Sequence, residues 1–245
     1  MKKIFILATV IMLSRVSFGQ EVVNVILVGN NGVTENIKEA TSFIIIKRFP
    51  NSFQRLDYNL GRPLERERNY SDSTLKILHG SYYEYSFNGS LSVSGYYMDN
   101  AKEKSWYQYD DTGKVILELQ YEKGVLVKTI DPDTVKKEPQ SDKLKDGEIE
   151  AHFKKGDRDW IEYLMKNLDA NVAEKSVRGG KVRVGFVVDT SGKCVDIHLR
   201  RSVEFILDDE AIRLIQSSPL WHPAIQGGRK VKAYRIQPIS FAKEE

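Results

Sequence analysis

Two stretches of this sequence, "GSYYEYSFNGSLSVSGYY" from Gly80 and "KSWYQYDDTGKVILELQY" from Lys104, carry aromatics and glycines on one shared spacing. Tyr82, Tyr83, Tyr85 and Gly89 align with Trp106, Tyr107, Tyr109 and Gly113, and Tyr97 aligns with Tyr121, so the pattern recurs about every 24 residues. A more degenerate copy precedes them in "LDYNLGRPLERERNY", with Tyr58, Gly61 and Tyr70 in the corresponding roles. A unit this short cannot bury an aromatic face alone. The spacing predicts a strand bearing aromatics, a tight turn opened by Asn-Gly or Thr-Gly, and a return strand ending in Tyr. Glycine supplies the positive backbone angle of the turn, and aromatics on alternate positions stack on the next copy to make a continuous core.

These residues resemble MORN-type repeats in the variant written G-x-W/Y-x-x-Y-x-x-x-G-x-L, over about residues 55–128. The resemblance implies an all-β repeat domain. Two roles for the tyrosines stand side by side: a stacking core between copies, or a platform for a ligand. Upstream, apolar bursts at 22–28 and 43–49 flank a turn-rich "GNNG" and read as two further strands, which sets a β-rich domain at 20–128.

The chain starts with Lys2 and Lys3, an apolar run from Ile4 to Leu13, and small residues Ser17 and Gly19. This is the pattern of a secretory signal peptide over 1–19 with Gln20 as the mature start, and an uncleaved anchor is the alternative. The apolar run is about half of what a membrane-spanning helix needs. A single cysteine, Cys194, leaves no internal disulfide framework, so an exported chain of this kind must be held by burial. The hydrophobic fraction of 41% is enough for that. A net charge of +3, with cations scattered among carboxylates, gives no phosphate-neutralising stripe and argues against nucleic acid as partner. Residues 129–155 mix both charges with Pro132, Pro139 and Gly147 and read as a linker.

The pattern changes at Asp157. In "DRDWIEYLMKNL", Trp160, Ile161, Leu164, Met165 and Leu168 recur at helical spacing, and a short helical piece around Val172 and Ala173 follows. "GGKVRVGFVVDTSGKCVDIHLRRSV" then alternates like a hairpin turned at "DTSG". Val182, Val184, Phe186 and Val188 take the dry face of the first strand, and Val195, Ile197 and Leu199 that of the second, which leaves Cys194, Asp196, His198 and Arg200 outside. Asp208, Asp209 and Glu210 read as a helix start, with Leu207, Ala211, Leu214 and Ile215 as the stripe that covers the dry face. A third strand is expected from about Lys230, and Pro238 within it places it at an edge.

Two helices and a three-stranded antiparallel sheet make an α+β module over 156–245. Its residues resemble the C-terminal domain of the TonB family. The matching stretches are W-x-x-Y-L-x-x-N-L at 160–168, G-K-V-x-V-x-F-V-V-D-x-x-G at 180–192, R-S-V at 201–203, L-D-x-E-A-I-R-x-I at 207–215, S-P-x-W-x-P-A at 218–224 and P-I-x-F at 238–241. The resemblance implies a periplasmic domain that binds an outer-membrane TonB-dependent receptor, or another envelope protein, by strand addition to an exposed edge. Val231, Lys232, Ala233, Tyr234, Arg235, Ile236 and Gln237 are the expected partner-binding residues. Arg229, Lys230, Lys232 and Arg235 make that edge basic, which suits a carboxylate-bearing partner and equally suits a solvated edge that resists aggregation. Asp169 and Ala170 stand where many family members carry Tyr-Pro. The leader looks cleavable and the tether short, whereas an energy transducer needs an inner-membrane anchor and a long Pro-rich spacer.

The four histidines, His79, His152, His198 and His222, lack metal-ligand spacing, and no Gly-rich phosphate loop is present. No cofactor, metal or catalytic group is expected, and homo-oligomerisation is left open. Two functions remain: a TonB-like protein supporting energy-coupled transport across the outer membrane, and an envelope scaffold whose repeats do the recognising.

Overall fold

The computed structural model describes residues 21–134 and 147–242. The expected leader over 1–19 lies outside the described residues, as do residues 135–146 of the expected linker. The chain divides into two compact units, Met1–Thr134 and Val135–Glu245.

The first unit is one ten-stranded sheet. Its strands are β1 (Glu21–Gly29), β2 (Gly32–Val33), β3 (Ala40–Phe49), β4 (Ser52–Asn59), β5 (Leu64–Tyr70), β6 (Leu78–Tyr85), β7 (Leu91–Met98), β8 (Ala101–Tyr109), β9 (Val115–Glu122) and β10 (Val125–Ile130). From β3 to β10 each strand pairs antiparallel with the next in sequence, as short turns dictate. The repeat is physical. In the β6–β7 turn the Gly89 N–H donates to the Ser86 carbonyl at 2.8 Å, and 24 residues on the Gly113 N–H donates to the Asp110 carbonyl at 2.9 Å. Both glycines have positive φ, 85° and 88°. Adjacent copies are tied at their tips, where the Asn88 amide donates to Asp111 at 3.2 Å.

Period-2 alternation then sorts the side chains onto two faces. One face carries a ring cluster with Trp106 at its centre, 5.3 Å from Tyr82, 5.0 Å from Tyr97 and 6.2 Å from Tyr121. Trp106 is 4% exposed because its indole lies flat on Gly95 and the Lys102 ammonium sits 4.2 Å above the ring. A Cβ on Gly95 would stand 2.2 Å from the indole, so only glycine fits. Near the other end the opposite face is the dry one. There Phe43, Ile45, Leu56, Tyr58 and Leu64 are all buried.

The same dry face holds Lys47 and Glu67, both buried. The Gln54 amide donates to Glu67 at 2.7 Å. Burial pushes the Glu67 carboxyl up to about 7, against the pull of Asn69, Lys47 and Gln54 toward the charged form. A carboxyl raised above its ordinary value favours the folded state fully below that value, and the benefit is lost as pH rises through the folded pKa.

The second unit carries α1 (Asp157–Asn167), α2 (Ala170–Lys175), β11 (Gly180–Val188), β12 (Cys194–Arg201), α3 (Phe205–Gln216), β13 (Ala224–Gln226), β14 (Arg229–Val231) and β15 (Ala233–Phe241). Its main sheet runs β12-β11-β15, all antiparallel. Val182, Val184, Phe186 and Val188 are fully buried, and so are Leu207, Ala211, Leu214 and Ile215 of α3. The helix stripe therefore meets the dry face of the sheet, as alternation and helical spacing require.

Several expectations need correcting. Among the described residues the unit has three helices, since the piece at Val172 is a separate α2 capped by the Asp169 carboxylate on the Asn171 N–H. The α3 helix starts three residues early, at Phe205; Asp208 remains in its first turn, and both Asp208 and Glu210 are buried anchors. Asp208 accepts from the Val203 N–H at 3.0 Å, and Glu210 accepts from the Asp169 N–H at 2.9 Å and from Arg213. On α1 only Trp160 is buried, and Ile161 and Met165 face out. The predicted alternation of β12 also breaks. Asp196 adopts φ of 51° inside a bulge, so Cys194 pairs with Val188 on the dry face and Val195 with Val187 on the wet one. Finally, residues 129–155 are not linker throughout: β10 reaches Ile130, and Ala151 and Phe153 are 0% and 2% exposed.

Two outcomes are expected for the first unit. Replacing Gly95 by Ala will lower its stability by about 1–3 kcal/mol in urea unfolding, the cost of forcing a methyl against a packed ring. Replacing Glu67 by Gln will flatten the decline in its thermal midpoint expected between pH 4.5 and about 7.

Candidate functional site

The sheet order leaves β15 at an edge. Its inner flank is filled by β11, in a register running from Ala233 opposite Val188 to Phe241 opposite Gly180. Among the described residues no other strand pairs with β15. Pro238, opposite Arg183, is tolerated because a strand with one neighbour has ladder positions that need no N–H.

Beside this flank lies an open groove of about 300 Å³. One wall is Val231, Lys232, Ala233, Tyr234 and Arg235, another is Ala224, Ile225 and Gln226, and the third is residues 148–151. Five of the seven expected partner-binding residues thus line one groove. Ile236 and Gln237 lie further along β15, opposite Gly185 and Val184. The seven do not form one strand, because Val231 ends β14 and Lys232 joins it to β15. The hairpin β13–β14 was missed in the sequence although Gly227-Gly228 announces it. Both glycines have positive φ, 55° and 73°, the geometry of a two-residue hairpin loop.

The third wall was also missed. Ile149 exchanges two backbone hydrogen bonds with Ile225, at 3.0 and 2.8 Å, and His152 does the same with His222, at 3.1 and 2.8 Å. The two imidazoles stack with centroids 4.7 Å apart. Phe153 then enters the core, 5.2 Å from Trp160 and 5.4 Å from Trp221. The signal was the apolar "Ile-x-Ala-x-Phe" alternation at 149–153, hidden by the charges around it.

Electrostatics single out Arg235. It stands opposite Phe186 on the dry side of β15, and its guanidinium reaches the rim, where it donates to Glu150 at 2.6 Å. The Glu150 side chain is 64% exposed, that of Arg235 27%. On the wet side Tyr234 spans the sheet to stack over His198, with its hydroxyl 3.3 Å from Nε2. Gly185, between them, has no room for a Cβ, which would lie 2.3 Å from that hydroxyl. This cover pushes the His198 imidazole down to about 4, so it stays neutral near physiological pH.

Burial pushes the Cys194 thiol up to about 11, against the Ser218 hydroxyl, so it is a protonated core thiol at neutral pH. Among the described residues no helix is long and apolar enough to cross a membrane.

Residues 171–242 match the family model described as Gram-negative bacterial TonB protein C-terminal. The match covers α2 to β15 and leaves out α1, the third wall of the groove and the whole first unit. No curated protein and no solved structure matches the chain.

Truncating Phe153 to Ala will cost the second unit about 3–5 kcal/mol in denaturant unfolding, as for a buried core aromatic rather than a linker residue.

Proposed function

We propose that this is a TonB-like protein of the cell envelope whose second unit takes up an extended segment of an outer-membrane TonB-dependent transporter along the outer flank of β15, in support of energy-coupled transport. One observation carries this reading: β15 has a strand on one side only, and the groove on its other side is lined by residues 231–235. The family match over residues 171–242 supports it. Physically, an added strand gains main-chain hydrogen bonds along the flank, and the groove walls choose among side chains. Lys230, Lys232 and Arg235 favour an approaching segment with negative charge and speed its arrival. The module acts by binding and not by catalysis. The location is the periplasm, reached through the leader.

A second reading has its own observation. The first unit presents a row of aromatics, Tyr82, Tyr97, Trp106 and Tyr121, on one face of a single sheet. In that reading the MORN-like sheet recognises an envelope partner and the second unit only docks.

Titration of the full-length protein with a synthetic peptide of a transporter's extended N-terminal segment separates the two. Strand addition predicts amide shifts concentrated in residues 233–237 and in β11 behind them. No shift there at millimolar peptide would sink the first reading.

A further inference from the structure

We infer that residues 148–150 form a strap that competes with the incoming segment for the groove beside β15. The inference rests on the docking reading above and adds a regulator to it.

The strap rests at the rim. Its contacts include the Glu150 to Arg235 ion pair at 2.6 Å and the reciprocal backbone pair between Ile149 and Ile225. Ile149 is 46% exposed and the Glu150 carboxylate 64%, so neither brings deep burial, and the ion pair is open to screening by salt. One residue later the character reverses: Ala151 is fully buried and Phe153 is wedged among Trp160, Tyr163 and Trp221. A hinge between Glu150 and Ala151 therefore lifts the strap without disturbing the core.

The strap forms one wall of the groove. Arg235 is the guanidinium on β15 that lines it, and in the closed arrangement a carboxylate of the same chain already occupies that group. An arriving strand meets two costs: breaking the Glu150 contact and displacing residues 148–150 from the wall. Affinity is then set by the balance of strap and partner, and any variant that weakens the strap raises it.

The test uses full-length protein carrying Cys194→Ser, with the transporter-derived peptide as probe and binding read by calorimetry. Glu150→Ala is expected to tighten binding about two- to five-fold, the range a rim ion pair supports. Because that change also frees Arg235, a second variant isolates the strap: Ile149→Cys with Ile225→Cys. A reciprocally bonded antiparallel pair sits about 5.5 Å apart at Cα, within disulfide reach. Oxidised, this variant is expected to lose measurable binding, and reduction is expected to restore it. Equal affinity in the oxidised and reduced states overturns the strap and leaves the docking reading standing. No binding to any variant, including the reduced one, overturns the docking reading and the strap with it.

Discussion

The second unit hangs on the indole of Trp221. Its ring meets Phe186 of β11 at 5.1 Å, Trp160 of α1 at 5.4 Å and Phe153 at 5.4 Å, so sheet, helix and incoming chain share one contact. The main chain around it is equally committed. The Trp221 N–H donates to the Gly192 carbonyl at 2.8 Å, and a Cβ on Gly192 would lie 2.2 Å from the Trp221 carbonyl oxygen. With a single cysteine in the chain, no internal disulfide ties this unit, and the cluster supplies by burial what a crosslink would supply. It also decides the geometry of the groove. Residues 222–225 follow the tryptophan directly, and through their bridges they set where residues 149–152 run.

The two units meet the edge problem of β-sheets in different ways. In the first, β10 ends the sheet with Val125, Leu126 and Val127 all exposed, and the opposite end is blunted by the two-residue β2. Its stability comes from stacking across strands, where each ring leans on the next copy. In the second unit the sheet is small, one face is sealed by α3, β12 and β15 are its two edges, and the choice concerns the flank of β15. There the sequence places Lys230, Lys232, Arg235 and Pro238, the residue types that discourage indiscriminate strand pairing.

Much of this organisation was legible, for reasons that differ by element. A period-2 pattern located β11 because one of its faces is sealed, so alternation is enforced by burial. The α3 stripe was legible for the same reason at a period of 3.6. The inversion at Cys194 was not, because a bulge at Asp196 changes which residues oppose one another without changing composition. The start of α3 was misplaced because acidic residues are a cue for helix N-termini. Here Asp208 and Glu210 instead serve loops that are distant in sequence or precede the helix, a tertiary use invisible to a local rule. The groove was half legible. Its β15 wall followed from proline and basic residues, whereas the wall at residues 148–151 was lost in a stretch whose composition resembles a tether.

That lost wall matters for how an open edge is tolerated at all. A flank that is permanently bare invites any extended chain, and a flank permanently paired is useless for recognition. Charged residues alone sort partners by the sign of their charge and no further. A short segment of the same chain, resting at the rim with the Glu150–Arg235 ion pair and the Ile149–Ile225 backbone bonds among its contacts, discriminates instead by competition: a partner must offer more than that segment does. Anchoring Phe153 deep among Trp160 and Trp221 keeps that competitor close by at a high effective concentration, while the exposed residues before it stay cheap to displace. Tight burial at one residue and loose contact three residues earlier are therefore two halves of one arrangement, and its selectivity depends on that steep contrast along a few ångströms of chain.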